Sequence, residues 1–432
     1  MIKVGFDTSA LDPRFKSHAQ RGIGRYVGHL ADYLKANTPE DLELKWFDHE
    51  NLIHSGVATR LIDLMPVART TLRQQLLYPL KLGSGVLKNT SFVHFPAHMD
   101  GPAWSPKPYL LTVHDLIPMI LEKLYRANRP NWRYEFARWL ERTSIRNATM
   151  LLAVSETTAR DVVRLLGIPR DRIVVTPNGV EQAFFDLFNV RRELPVSARI
   201  ELRDRLGIPR ERPILFYVGG HDERKNISMV VEIAKEAISE RSERGLPQPV
   251  LVLAGKVNTG REREVLDTAL RDFAMAADTV DLGFVSESDL RALYAESSVF
   301  LFPSLYEGFG LPVLEAMAAG VPVVSSDRGA LPEVMGRVGI SFDPEDAIAG
   351  CRGVLEILNN PDYAARLSVD GHARAAEFTW ERTGKLTIEA YRYAASLLAG
   401  TEPRKEQGKN PDENLLQTDL TAKPRSAGNA EV

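Results

Sequence analysis

The chain has 432 residues, more than the roughly 250 to 300 that one hydrophobic core usually organises, so two domains are expected. With 44% hydrophobic and 26% charged residues it falls among ordinary globular proteins. A formal charge of −3 provides no broad basic field for nucleic acid, and the single cysteine, Cys351, excludes an intrachain disulfide and fits a reducing compartment such as the cytoplasm.

Residues 1–7 read as a buried strand arriving at a turn rather than as a secretion signal. No apolar run approaches the roughly 18 residues that span a bilayer, so any membrane contact is expected to be peripheral. Short β-branched and aromatic runs then alternate with helical patterns, at 2–6, 92–95, 109–113, 150–154 and 173–176. Near-continuous apolar strands of this kind belong in a parallel sheet covered on both faces. A charged stretch with Arg191, Arg192, Glu193 and Arg199 follows, and the alternation restarts at 214–218, 250–253, 280–284, 299–302 and 321–324.

The expected fold class is therefore α/β, with two doubly wound, Rossmann-like domains facing across a cleft. The boundaries read as a first domain over 1–190, a linker over 191–211 and a second domain over 212–375. A helical segment over 376–399, through Trp380, Tyr391 and Leu398, could join either domain, and a polar tail over 400–432 is expected to be disordered.

The densest chemistry follows the run 299–302, where Glu307-Gly308-Phe309-Gly310-Leu311-Pro312 leads through Leu314 to Glu315. Two glycines let backbone amides approach a ligand, and Pro312 suits the first turn of a helix. A helix N-terminus beside a glycine-bearing loop is an anion site, with Glu307 and Glu315 placed to reach opposite sides of one ligand. The alternative is a turn shaped by Gly308 and Gly310, with glutamates that only complement the helix dipole.

After the run 214–218, Arg224 and Lys225 precede a helical pattern through Ile227, Val230 and Ile238. Cations at a helix start oppose its dipole, a conflict that an anionic ligand removes, and the competing reading is two solvated bases on a loop. In the first half, Gly22-Ile23-Gly24-Arg25-Tyr26 after the first strand is either a backbone surface facing the cleft or a structural turn. His114-Asp115 ends the run 109–113, where His114 is expected to donate to a sugar hydroxyl with Asp115 orienting its ring.

Together these residues resemble the large retaining glycosyltransferase family 4, a set of two-domain GT-B enzymes. The resemblance rests on Glu307 and Glu315 as a Glu-x7-Glu signature, on Leu282-Gly283-Phe284-Val285, Gly320-Val321-Pro322-Val323 and Leu331-Pro332-Glu333, and in the first half on Gly22 to Tyr26, His114 to Pro118 and Pro177 to Val180. It implies a nucleotide-sugar donor on the second domain and a saccharide or lipid-linked acceptor on the first. Glu315 would hold the donor ribose, while Glu307 and the amides of Gly308, Phe309, Gly310 and Leu311 would face the sugar. Lys225, with Arg224, would bind diphosphate, His114 a sugar hydroxyl, and Phe284 and Val285 the base. Many members carry Arg where this chain has Gly220, a charge that Arg224 would have to replace.

The chain contains no Asp-x-Asp pair, so no metal or other cofactor is expected. The resemblance points to transfer of a mannose- or rhamnose-type hexose in surface polysaccharide synthesis, with retention at the anomeric carbon. A nucleotide-sugar epimerase, a phosphorylase and a noncatalytic sugar-nucleotide-binding scaffold are the competing readings. The segment 122–146 carries Lys123, Arg126, Arg129, Arg133, Arg138, Arg142 and Arg146 against Glu122, Glu135 and Glu141, interleaved with Trp132, Tyr134, Phe136 and Trp139. That composition suits either an anionic bilayer at the inner face of the cell membrane or an amphipathic helix with its aromatic residues turned inward.

Overall fold

A computed structural model describes residues 1–11, 22–48, 75, 78–82, 85–128, 132–193, 195–256 and 260–400. Arg21, Arg129 and the expected tail beyond Gly400 lie outside them, as do the side chains of Arg126, Arg133 and Arg192. The first domain holds strands β1 (Ile2–Asp7), β2 (Leu42–Phe47), β3 (Phe92–Phe95), β4 (Tyr109–Val113), β5 (Met150–Ala153) and β6 (Ile173–Val175). They pair in the order β2-β1-β3-β4-β5-β6, every pair parallel. The second holds β7 (Ile214–Val218), β8 (Val250–Ala254), β9 (Thr279–Asp281), β10 (Val299–Phe302), β11 (Val323–Ser326) and β12 (Ile340–Phe342), in the order β12-β11-β10-β7-β8-β9, again parallel.

The strands form where β-branched and aromatic residues can be buried on both faces: all of Tyr109–Val113 and all of Val250–Ala254 are buried. Side-chain caps start the helices between them. Ser155 accepts from Thr158 N, Ser286 from Asp289 N and Asp346 from Ala349 N. In each sheet the strand order reverses once, between β1 and β3 in the first and between β7 and β10 in the second. Loops at the carboxyl ends of strands beside such a reversal diverge and leave a crevice for a ligand.

The linker read over 191–211 is helical over residues 191–193 and 196–206. Helix Gln182–Glu193 packs on helices Glu287–Glu296 and Leu311–Ala318 of the second domain, with Phe184 edge-on to Tyr294 at 5.6 Å. Helix Val196–Leu206 follows and sends Arg203 Nε to Glu296 Oε2 at 3.0 Å. The chain therefore crosses to the second domain just before Gln182, ahead of residue 190.

It crosses back at Phe378 to Trp380. There Val180 N donates to the Phe378 carbonyl at 3.1 Å, and Val180 and Thr379 form a parallel bridge, so the two crossings lie side by side. A Cβ on Gly179 would collide with the Trp380 backbone, which is why only glycine allows this approach.

Helix Trp380–Leu398 returns to the first domain and packs on helix Gly22–Asn37. Tyr391 is fully buried and its hydroxyl lies 2.7 Å from His94 Nδ1, while His94 Nε2 meets Thr112 Oγ1 at 2.9 Å. Burial pushes His94 down to about 3, so this ring is neutral. At the helix crossing a Cβ on Gly384 would collide with the Tyr33 ring. Gly384→Ala should therefore destabilise the first domain by about 1 to 3 kcal/mol through overpacking, read as a lower urea midpoint, and an unchanged midpoint would show that the two helices slide apart freely.

Candidate active site

Strands β7 and β10 are neighbours at the reversal of the second sheet, and each delivers one half of a charged cluster. After β7 comes a short turn of helix, Glu223–Lys225, then Asn226 at φ 55° and helix Ile227–Glu243. Asn226 holds that left-handed conformation by donating its side-chain amide to the Pro303 and Pro344 carbonyls at 3.2 and 2.9 Å. This fixes the preceding basic pair against the loop that leaves β10.

From that loop Glu307 reaches back. Its Oε1 accepts from Arg224 Nη1 at 2.6 Å, Lys225 Nζ at 2.7 Å and Ser304 Oγ at 2.7 Å. Burial alone would favour the neutral acid, but the Arg224 and Lys225 cations outweigh it and hold Glu307 down at about 2. Burial lowers Lys225, and its 2.7 Å ion pair with Glu307 pulls against that shift. Because the folded value of Glu307 lies below the ordinary 4.5, its stabilising contribution is complete above that pH and disappears as pH falls towards 2.

Glu315 lies on helix Leu311–Ala318, whose N-cap is Gly310 at φ 109° and whose first turn contains Pro312. Its carboxylate is nearly fully buried. Oε2 accepts from the Tyr294 hydroxyl at 3.0 Å, and Oε1 accepts from Arg25 Nη1 of the first domain at 2.6 Å. Arg25 in turn donates from Nε and Nη2 to Glu181 Oε1, at 3.1 and 2.5 Å, and His29 Nε2 donates to the same oxygen at 3.0 Å. Burial raises Glu315 above its ordinary value, with Arg25 and Tyr294 pulling against that shift.

The glycines also allow close packing. A Cβ on Gly308 would collide with the His114 carbonyl, so its missing side chain lets the β10 loop press against the first domain. Gly310 is required by its positive φ and by Leu331, which crowds the place of a Cβ. Gly308 O accepts from Ser155 Oγ at 2.7 Å and Thr158 Oγ1 at 3.1 Å, while Glu333 accepts from the amides of Glu156 and Thr157 at 2.8 and 3.0 Å. Tyr306 adds a hydrogen bond to Asp161. Phe309 is buried, edge-on to Phe378, and Leu311 is half-buried.

His114 and Asp115 do not act as a pair. The Asp115 carboxylate accepts from the Ile117 amide at 3.0 Å in a local Asx-type turn that leads into helix Ile117–Ile120. His114 Nε2–H donates to the Pro96 carbonyl at 2.8 Å, and burial pushes the ring down to about 3. The ring is thus neutral with Nδ1 unprotonated, which makes it an acceptor from a hydroxyl rather than the expected donor. Gly22 and Gly24 lie in the first turn of helix Gly22–Asn37. Phe284 follows β9 with 75% of its surface exposed, and Val285 is half-buried; neither touches the charged cluster through a hydrogen bond or ion pair among the described residues.

Comparison with known proteins places this arrangement. Residues 198–374 match the model of Glycosyl transferases group 1, and residues 21–184 match that of Glycosyltransferase Family 4. The alpha-maltose-1-phosphate synthase of Mycolicibacterium smegmatis is 30% identical over 66% of this chain and 73% of its own length. The chain belongs to glycosyltransferase family 4.

Within the family it is also 33% identical to the O-antigen chain mannosyltransferase B of Escherichia coli, over 59% of this chain and 64% of that protein. It is 31% identical to the serotype-specific mannosyltransferase WbdA of the same organism over 64% of this chain, but spans only 32% of that longer protein. The sucrose-phosphate synthase of Thermosynechococcus elongatus shares the fold, with a TM-score of 0.67, 21% identity and coverage of 93% of this chain and 100% of that one. WaaG, a glycosyltransferase involved in lipopolysaccharide biosynthesis, gives 0.61 at 16% identity, covering 92% and 100%. The family's two-domain GT-B architecture is that of the two sheets described above.

The tight seat of Gly308 on the His114 carbonyl gives a direct test of the domain contact. Gly308→Ala should hold the domains apart, increasing the radius of gyration in small-angle X-ray scattering while the circular dichroism spectrum stays unchanged. An unchanged radius would mean that the loop yields instead.

Proposed function

We propose that this chain transfers a hexose, of the mannose or rhamnose type, from a nucleotide diphosphate sugar to a saccharide or lipid-linked acceptor in the synthesis of a surface polysaccharide. The observation that carries the reading is the convergence of Arg224, Lys225 and Ser304 on Glu307 at the β7/β10 reversal. A site with two cations and an ionised carboxylate beside the N-terminus of helix Leu311–Ala318 suits a diphosphate leaving group next to a developing positive charge on a sugar.

In this reading Lys225 and Arg224 take the diphosphate and release Glu307 towards the sugar, and the amides from Gly308 to Leu311 complete the anion site. Glu315 accepts from the ribose hydroxyls. Exposed Phe284, with half-buried Val285 next in the chain, offers the base a surface, and His114 Nδ1 accepts a hydrogen bond from a hydroxyl of the transferred sugar. Transfer retains the anomeric configuration, with the leaving phosphate accepting the acceptor's proton. The sequence carries no Asp-x-Asp pair, so the charge on the leaving phosphate falls to Lys225 and Arg224 without a metal or other cofactor. The mannosyltransferase names of two relatives support the sugar type.

Transfer from radiolabelled GDP-mannose, UDP-glucose and dTDP-rhamnose to a polysaccharide acceptor, in EDTA, tests the reading as a whole. One donor should give product in EDTA, and Glu307→Gln should lose roughly 100-fold or more of that rate with an unchanged circular dichroism spectrum. Transfer restored only by added magnesium or manganese would overturn the cofactor-free mechanism. Undiminished transfer by Glu307→Gln would remove that residue from the chemistry.

A lipid-linked acceptor is favoured by one further observation. On helix Trp132–Asn147, Trp132, Phe136 and Trp139 share one face at i, i+4 and i+7 and are 67%, 46% and 56% exposed, with Phe136 stacked on Trp139. Leu140 and Ile145 face the core, and Arg142 and Arg146 lie on the same helix. Outward aromatic rings beside basic residues suit the headgroup layer of an anionic membrane, at the inner face of the cell membrane in this reading, each base adding about 1 kcal/mol there. No described helix is long and apolar enough to cross a bilayer. Recovery with vesicles should rise with phosphatidylglycerol content, fall with salt, and drop in Trp132→Ser/Trp139→Ser; equal recovery with neutral vesicles would count against a membrane role.

A further inference from the structure

Arg25 has no place in the charge logic of its own domain. It sits in the first turns of helix Gly22–Asn37, where a cation faces the positive end of the helix dipole. Two carboxylates hold it there: Glu181 beside the interdomain crossing and Glu315 on the opposite domain. Burial works against its charge, and Glu315 and Glu181 more than restore it, so that its pKa lies above the ordinary arginine value. The arrangement is a fork, with Nη1 on one carboxylate and Nε with Nη2 on the other.

Glu315 needs this cation. The groups that face it are Arg25 from helix Gly22–Asn37, the Tyr294 hydroxyl from helix Glu287–Glu296 and, as an opposing charge, Glu181, whose own oxygen is shared by Arg25 and His29. Arg25 is the one positive group in that set. Glu315 Oε1 and Oε2 each accept one hydrogen bond from the protein, and each oxygen of a carboxylate has room for a second. Each Glu315 oxygen therefore keeps a lone pair for a diol hydroxyl that Arg25 and Tyr294 do not occupy.

We propose that Arg25 is a positioning residue for the donor: reaching from the acceptor-side domain, it holds the Glu315 carboxylate in the orientation and charge state that a ribose diol requires. The inference rests on Glu315 as the ribose acceptor. It adds that recognition of the ribose belongs to both domains together, because the counter-charge comes from the first and the carboxylate from the second. Removing Arg25 leaves a buried carboxylate with only a phenol beside it, which favours the protonated acid and weakens its acceptance of hydroxyl protons. Low pH should act in the same direction, since it also protonates Glu315.

The test is calorimetric titration of GDP and UDP, each against its 2′,3′-dideoxy counterpart, with wild type, Arg25→Gln and Arg25→Lys. Wild type should prefer the ribose form by roughly tenfold or more at pH 7, the size expected of a hydrogen bond to a charged acceptor, and lose that preference as pH falls. Arg25→Gln should bind the two forms within about twofold at pH 7. Arg25→Lys, which keeps the charge but cannot fork between Glu315 and Glu181, should fall between them and lose its preference at a higher pH than wild type. A wild type that ignores the diol, or binds neither nucleotide, would overturn the ribose reading and this inference with it. A wild type that prefers ribose, with Arg25→Gln preferring it as strongly, would overturn the role of Arg25 alone. If Arg25→Gln does not fold, an Arg25→Lys preference equal to that of wild type at every pH would do the same.

Discussion

A carboxylate taken out of water must be given a cation or lose its charge, and this constraint organises the cleft of the protein. Glu307 and Glu315 both lie below the surface on the loop and helix that follow β10. They are satisfied from opposite directions. Glu307 draws its cations from the same domain, across the β7/β10 reversal, whereas Glu315 draws its cation from the other domain. The first pairing assembles one half of the site within a single sheet, and the second makes the site a property of two sheets held at a set separation.

That separation is fixed by polar contacts as much as by apolar ones. Helix Glu156–Leu166 of the first domain presents its free amides to Glu333, and the hydroxyls of Ser155 and Thr158 reach the Gly308 carbonyl one residue from Glu307. The carboxylate of Glu333 lies at the positive end of a helix dipole, a favourable and short-ranged arrangement. The domain contact and the loop that carries Glu307 therefore share the same few residues, and a ligand that alters the path of the β10 loop alters the contact too.

The architecture was legible because strands buried on both faces advertise themselves. Tyr109–Val113 and Val250–Ala254 are apolar almost throughout and short, as strands covered on both faces are. Strand β2 was not, because Leu42–Phe47 lies at the sheet edge and mixes Glu43 and Lys45 with its apolar residues, and β12 lies at the edge of the other sheet with an exposed Ser341 between Ile340 and Phe342. The Glu307 to Glu315 loop and Lys225 could be picked out from local pattern, since glycine, proline and charge at a strand-to-helix junction are informative together. Arg25 could not be given its partners, which lie 156 and 290 residues away and meet it only through the fold. The packing role of the glycines was not legible, because sequence shows that a Cβ is absent but not which atom would have struck it.

The chain passes between the domains twice, and the two passages are bonded to each other through Val180, Phe378 and Thr379, with Gly179 flush against the Trp380 backbone. A single passage would act as a swivel, free to twist about its own axis as well as to bend. Two passages fastened side by side act as a door hinge: twist is blocked, and bending about the line that joins them is the remaining degree of freedom. Arg25 against Glu315 and Gly308 against His114 therefore both lie across the cleft from one pair of fastened crossings. Registration between two halves that share no sheet is thereby built into the connectivity of the chain.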